Sequence, residues 1–479
     1  MTEFLDSPQS DDAILSDSKS DRLDLILGGI EGVKQRLSSQ IEAVRIEALS
    51  QASQYGREGL NLIIKAFRED SEAVRRSAYF CLCDRQTPEI KKIIQGYYPW
   101  DWKSCKNLFI CPINADSSRR LVMSANGQFC AFNRSIMDRD NLEYIPEIWD
   151  LQNPQKLRDL PSFKTPPKLA MTNDGQILIT GEYIGQTISA WNPQTGEKIF
   201  TQSVGAVGSV AIGEENETLV FSRNLPHRGS REYTWETQVE IWSLAKQKRL
   251  NTVFITVEED PQKKYGKFGN VRGVAVHARS KMLLCNAFTM GQTGNPIEAW
   301  NIVEGKNEKS YTLNFPKYYR NQYPVINPNG LSFATAMTYT APYSTNPADR
   351  WILEDPNEQT VRDRSITLWK LHKDPEIDLL ENSSKINDSE CKSLVRKKQF
   401  LGLIEAGEID CCAFSPDGKI LATSSRTILA GRVTLWNLDS YQKICIVTEE
   451  NRPIEFVKFN QDGNVLYTAT DKALKAWGF

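Results

Sequence analysis

Tryptophan recurs along this chain in one setting, with apolar neighbours before it and often Asn, Asp or Leu after it. Thr434-Leu435-Trp436-Asn437-Leu438 is the clearest case. The set is Trp149, Trp191, Trp242, Trp300, Trp369, Trp436 and Trp477, at successive intervals of 42, 51, 58, 69, 67 and 41 residues. A motif that returns after roughly 40–45 residues is the signature of a four-stranded propeller blade. The two shortest intervals match that period, and the longer ones read as the same unit carrying insertions.

Residues 409–447 show the unit in full. Asp410-Cys411-Cys412-Ala413-Phe414 reads as a first strand, Ser415-Pro416-Asp417-Gly418 as a tight turn, and Lys419-Ile420-Leu421-Ala422-Thr423 as a second strand. The third runs from 432 to 437 and the fourth from 443 to 447. Asp-Gly between apolar runs marks a hairpin because the turn needs residues that tolerate positive φ. The same signal recurs at Asn126-Gly127, Asn173-Asp174-Gly175, Asn329-Gly330 and Asp462-Gly463. Ser-Pro-Asp-Gly, the β-branched second strand and the Leu-Trp-Asn-Leu third strand resemble the WD-repeat family. The resemblance spans about residues 105–479 and implies a seven-bladed WD40-like β-propeller. The family's Gly-His dipeptide is absent, since none of the three histidines follows glycine. The buried His/Asp/Ser/Trp network that the family implies is therefore complete in no blade. Only two residues follow Trp477, so the last blade is one strand short, and a strand near 107–111 is expected to supply it. An open sheet edge there would be a pairing hazard.

The front of the chain has a different period. Leu23, Leu27 and Ile30, and then Leu60, Ile63, Ile64 and Phe67, recur every three to four residues, as helices do. Glu42-Ala43-Val44-Arg45 returns 30 residues later as Glu72-Ala73-Val74-Arg75, and Ala48 is matched by Ala78. This resembles a pair of HEAT-type hairpins, with a period shorter than the ~40 residues usual for such units. The expected fold is mainly β: an acidic, Ser-rich disordered tail (1–21), a HEAT-like helical domain (22–104) and the propeller (105–479). Ile90, Ile93, Ile94, Tyr97, Tyr98, Trp100 and Trp102 are expected to dock the helices on the propeller. The helical domain serves either as a cap or as a concave partner-binding surface.

In an antiparallel blade, the turns after strands one and three lie at one end and the connections after strands two and four at the other. The first set is short throughout. The second is long, at 133–144, 223–237, 289–295 and 340–364 between strands two and three, and at 258–270 and 315–323 after strand four. Long loops on a rigid scaffold are where function concentrates. Within them Arg223, His227, Arg228, Arg231 and Trp235 form one candidate group, and Tyr318, Tyr319, Arg320 and Tyr323 another, with Trp351 in a neighbouring acidic loop. Tyr, Trp and Arg are the residues enriched at interface hot spots, and they also suit stacking on single-stranded nucleic acid. The basic run Arg396-Lys397-Lys398 comes after a polar insertion at 374–390 and reads as solvated.

A net charge of −2 argues against a chain committed throughout to nucleic acid or anionic membrane. No run approaches the ~18 apolar residues a span needs. The ten cysteines include no C-x-x-C, and with three histidines a zinc site is not expected. No cofactor or metal is expected, and a reduced, cytoplasmic setting is the simplest account. The chain contains no nucleophile elbow, phosphate loop or H-E-x-x-H helix. The expected function is a non-enzymatic scaffold that displays its long-loop face to a protein or peptide partner. The alternatives are single-stranded nucleic-acid binding through that face, and a propeller hydrolase or lyase built on His227 and a carboxylate. His277 and His372 read as structural or solvated.

Overall fold

The computed structural model describes residues 13–14, 26–27, 29–83, 85, 87–113, 115, 121–138, 141–226, 235–255, 269–289, 297–303, 306–313, 319–321, 324–330, 332–339, 366–371, 395–399, 408–426 and 430–479. The chain divides into two compact units, Met1–Asp101 and Trp102–Phe479.

The first unit contains helices α1 (Gly29–Leu37), α2 (Glu42–Ala52), α3 (Gly56–Glu69), α4 (Glu72–Cys83) and α5 (Pro88–Ile93), together with a short strand pair, Ala13–Ile14 with Ile26–Leu27. Otherwise the 1–21 tail lies outside the described residues. Helix α1 packs with α2, α3 with α4, and α2 with α4. The repeated tetrapeptide explains the packing. Ala48 and Ala78 are fully buried, so the helices approach closely there. Arg45 donates to Ser39 O (2.6 Å), just past the end of α1, and Arg75 donates to Phe67 O (3.1 Å), in the last turn of α3. Each arginine thus satisfies a carbonyl that the preceding helix leaves without an internal partner, where positive charge is also favoured. The paired glutamates link forward: Ser71 Oγ donates to Glu42, and Tyr97 Oη to Glu72 at 2.8 Å. Thr87 caps α5 by accepting from Ile90 N, with Pro88 in the first turn. The expected docking residues are divided between the units. Ile90 and Ile94 are buried in the helices' own core, with Ile93 and Tyr97 packed against it. Trp102 is buried in the second unit, with its ring 5.5 Å from Phe459 and 5.3 Å from Phe479.

The second unit is a succession of antiparallel sheets, each built around one tryptophan of the repeated set. Six are four-stranded and one is five-stranded. The expectation of a seven-bladed propeller is therefore corrected to six four-stranded blades. The exception is the Trp369 sheet, where Val325–Ile326 and Tyr319–Asn321 pair with different stretches of Ser332–Tyr339. Pro324 and the turn at Asn327 confine the regular first strand to two residues, and the long second strand has room for a second partner. In the Trp477 sheet, Lys106–Pro112 runs antiparallel to Ala473–Gly478 as its outer strand.

Two arrangements hold the tryptophans, and the residue two positions earlier, with its partner on the second strand, selects between them. Thr180, Thr423 and Thr468 lie opposite Ser189, Thr434 and Lys475. There the indole N–H of Trp191, Trp436 and Trp477 donates to the threonine hydroxyl at 2.9–3.0 Å. In three further sheets Phe132, Phe221 and Cys285 replace the threonine, opposite Glu147, Glu240 and Glu298. The indoles of Trp149, Trp242 and Trp300 donate to those glutamates instead, at 3.1, 2.7 and 3.2 Å. These contacts meet the same need as the missing Gly-His network, because a buried indole N–H requires an acceptor. Beside Trp149, Trp191, Trp242, Trp300 and Trp436 the ladder to the outer strand shifts by a residue. The shift brings Lys156, Lys198, Arg249, Lys309 and Lys443 opposite the respective tryptophans in register, and Lys198 Nζ lies 4.6 Å from the Trp191 centroid.

The turns after the first strands tie neighbouring sheets together. Gln461 N donates to Ala125 O, joining the Trp477 sheet to the Trp149 sheet, and Asn126 N donates to Asn173 O. Asn173 Nδ2 donates to Glu214 O, and the Glu214 carboxylate accepts from Ala278 N and Arg279 N at 3.1 Å. Ser280 N donates to His277 Nδ1, which places the neutral ring's proton on Nε2, 3.0 Å from Pro328 O. Asn327 Nδ2 donates to Gly418 O. His277 is thus a buried junction residue. Gly418 has φ of 71°, the left-handed conformation the Asp-Gly turn requires.

Candidate partner-binding rim

Connections after the second strands leave from the rim opposite these turns. The sequence suggested loops there, but the structure builds much of the inserted length as continued ladder. Expected loop 133–144 is the end of a hairpin: Phe129–Asp138 pairs with Asn141–Asp150 down to Asp138 opposite Asn141. Expected loop 223–237 is also paired at its base, from Arg223 opposite Gln238 to Pro226 opposite Trp235. Tyr319–Asn321 and the end of Ser332–Tyr339 pair in the same way. Backbone polar groups far from a core still need partners, and pairing the arms of an insertion satisfies them where an open loop would rely on water.

Buried carboxylates anchor the bases of these ribbons. Glu147 takes Arg134 and also Lys156 at 3.2 Å. Glu240, 2% exposed, receives Arg223 at 2.7 Å, Arg249 at 3.4 Å and the Trp242 indole. Arg223 donates further to Val204 O (3.0 Å) and Gln238 Oε1 (2.7 Å). This reassigns Arg223 from the candidate contact set: its guanidinium is committed to internal partners and braces the ribbon. Asn133 Nδ2 donates to Pro167 O, and Tyr144 exchanges backbone hydrogen bonds with Phe163 at 2.8 Å, so the first ribbon is held at its base and along one edge.

Of the other candidates, Trp235 heads the strand Trp235–Ser243, and Tyr319 and Arg320 lie in Tyr319–Asn321. His227, Arg228, Arg231, Tyr318, Tyr323 and Trp351 lie outside the described residues, as does His372. The basic run Arg396-Lys397-Lys398 is the outer strand of the Trp369 sheet, with Lys397 opposite Trp369. Lysine on an edge strand discourages pairing with other chains.

The structure exposes apolar residues that sequence reasoning missed. Met137 and Leu142 stand directly opposite each other near the tip of the first ribbon, 69% and 44% exposed. On the neighbouring Trp191 sheet the equivalent turn exposes Tyr183 (46%) and Ile184 (58%). No local signal marked them: 129–138 and 141–150 keep no regular apolar–polar alternation, and only the register across the ribbon sets which side chains face outward.

Burial pushes the Cys412 thiol up to about 12 and Cys111 to about 11. Lys458 is a different case, on the innermost strand of the Trp477 sheet. Its ammonium donates to Met123 O across the junction with the Trp149 sheet (2.5 Å), and burial lowers its pKa to about 8. Among the described residues, no group of three His, Cys, Asp or Glu side chains could hold a metal ion. No helix there is long and apolar enough to cross a membrane.

The family described as WD domain, G-beta repeat matches residues 400–437, which contain the first three strands of the Trp436 sheet. No curated protein matches the chain. Among solved structures, the chain is similar to the β-propeller domain of Cps50 (Swd1) from Myceliophteria thermophila, with 12% identity and a TM-score of 0.50. That similarity covers 78% of this chain and 100% of the other. Hydrazine synthase from Kuenenia stuttgartiensis is similar at 14% identity and a TM-score of 0.49, over 76% of this chain and 96% of the other. At such identities the likeness concerns the fold alone. The likeness to the Cps50 domain supports a β-propeller fold, and the family match places a WD repeat at residues 400–437.

Proposed function

We propose that this protein is a non-enzymatic interaction scaffold that captures a protein or peptide partner on the rim bearing the β-ribbons. WD40 propellers generally act as protein-interaction scaffolds, and the observation that carries the reading here is the exposed Met137–Leu142 pair on a braced ribbon. Rigid projection limits the ordering cost of binding. Covering what remains exposed of these two side chains contributes on the order of 1 kcal/mol each. In this reading the helices are a HEAT-like stack, and the setting is cytoplasmic. His227, Arg228, Arg231, Trp235, Tyr318, Tyr319, Arg320, Tyr323 and Trp351 extend the same contact surface.

The test is affinity capture with the tagged full chain beside three variants. One carries Met137, Leu142, Tyr183 and Ile184 changed to Ser. A second carries Tyr318, Tyr319, Arg320 and Tyr323 changed to Ala, and a control has Ile199→Ser and Leu250→Ser on outer strands. A protein partner lost with either rim variant and kept by the control supports the proposal. Equal retention by all of them overturns the rim assignment, and recovery of nucleic acid alone overturns the partner class.

A further inference from the structure

We draw no further inference here: the strongest candidate, the exposed apolar patch formed by Met137 and Leu142 on the first ribbon and by Tyr183 and Ile184 on the neighbouring sheet, belongs to the rim already described and nothing in the structure shows what covers it.

Discussion

Glu240→Ala tests the idea that buried carboxylates, rather than the strands alone, hold the projecting ribbons. Glu240 is the shared acceptor of the Trp242 indole and of Arg223, whose own side chain is only 17% exposed. Removing the carboxylate leaves an indole N–H without its acceptor and a mostly buried guanidinium without its counter-charge. Breaking a buried pair in this way costs about 3–5 kcal/mol. The contrast is Glu449→Ala. Glu449 pairs with Arg432 at a similar 2.8 Å but is 58% exposed. Solvent screens that pair, so its loss is expected to cost ~0–1 kcal/mol. Guanidinium unfolding followed by tryptophan fluorescence gives both numbers, with the midpoint compared at unchanged slope. Proteolysis at the base of the 223–238 ribbon should also rise in Glu240→Ala alone. If the two variants lose the same stability, or Glu240→Ala costs under about 1 kcal/mol, the reasoning fails.

Lys458→Met should stabilise the propeller at pH 7 and lose the advantage by about pH 10.5, because burial favours the neutral amine. With the folded pKa near 8 and the unfolded value at 10.5, the penalty is fully present below pH 8 and is relieved as pH rises through that window. It amounts to about 3 kcal/mol, less about 1 for the lost hydrogen bond to Met123 O. Denaturant midpoints for both proteins across pH 7–10.5 check it, and a destabilised variant at pH 7 refutes it. Thr180→Val removes the acceptor of the Trp191 indole while keeping shape, so a loss of about 1–3 kcal/mol is expected by thermal or chemical melts. Met137→Ser with Leu142→Ser should leave the unfolding midpoint within ~0.5 kcal/mol of the parent, since both side chains are already solvated. A larger loss would show that they support the ribbon.

The strand grammar was legible because it is local. Asp-Gly turns, apolar alternation and the tryptophan period each depend on a few neighbouring residues. Long-range pairing was not legible in the same way. Insertions 133–144 and 223–237 are polar and interrupted, as loops are, and only the register across each ribbon reveals them as strand. Arg223 looked like a free contact residue because its partners, Val204 in the connection before the sheet and Gln238 and Glu240 on its third strand, are brought together only by the fold.

What the sequence determined by itself is the repeated blade unit, the helical character of the front end and the rim on which the insertions gather. Each comes from backbone periodicity and from the alternation of turns along an antiparallel sheet. Tertiary structure decided the rest: the irregular Trp369 sheet, the choice of threonine or glutamate as indole acceptor, and which rim side chains are committed or exposed. Those outcomes depend on which groups become buried together, and a buried donor or charge must find its partner among residues far away in the chain.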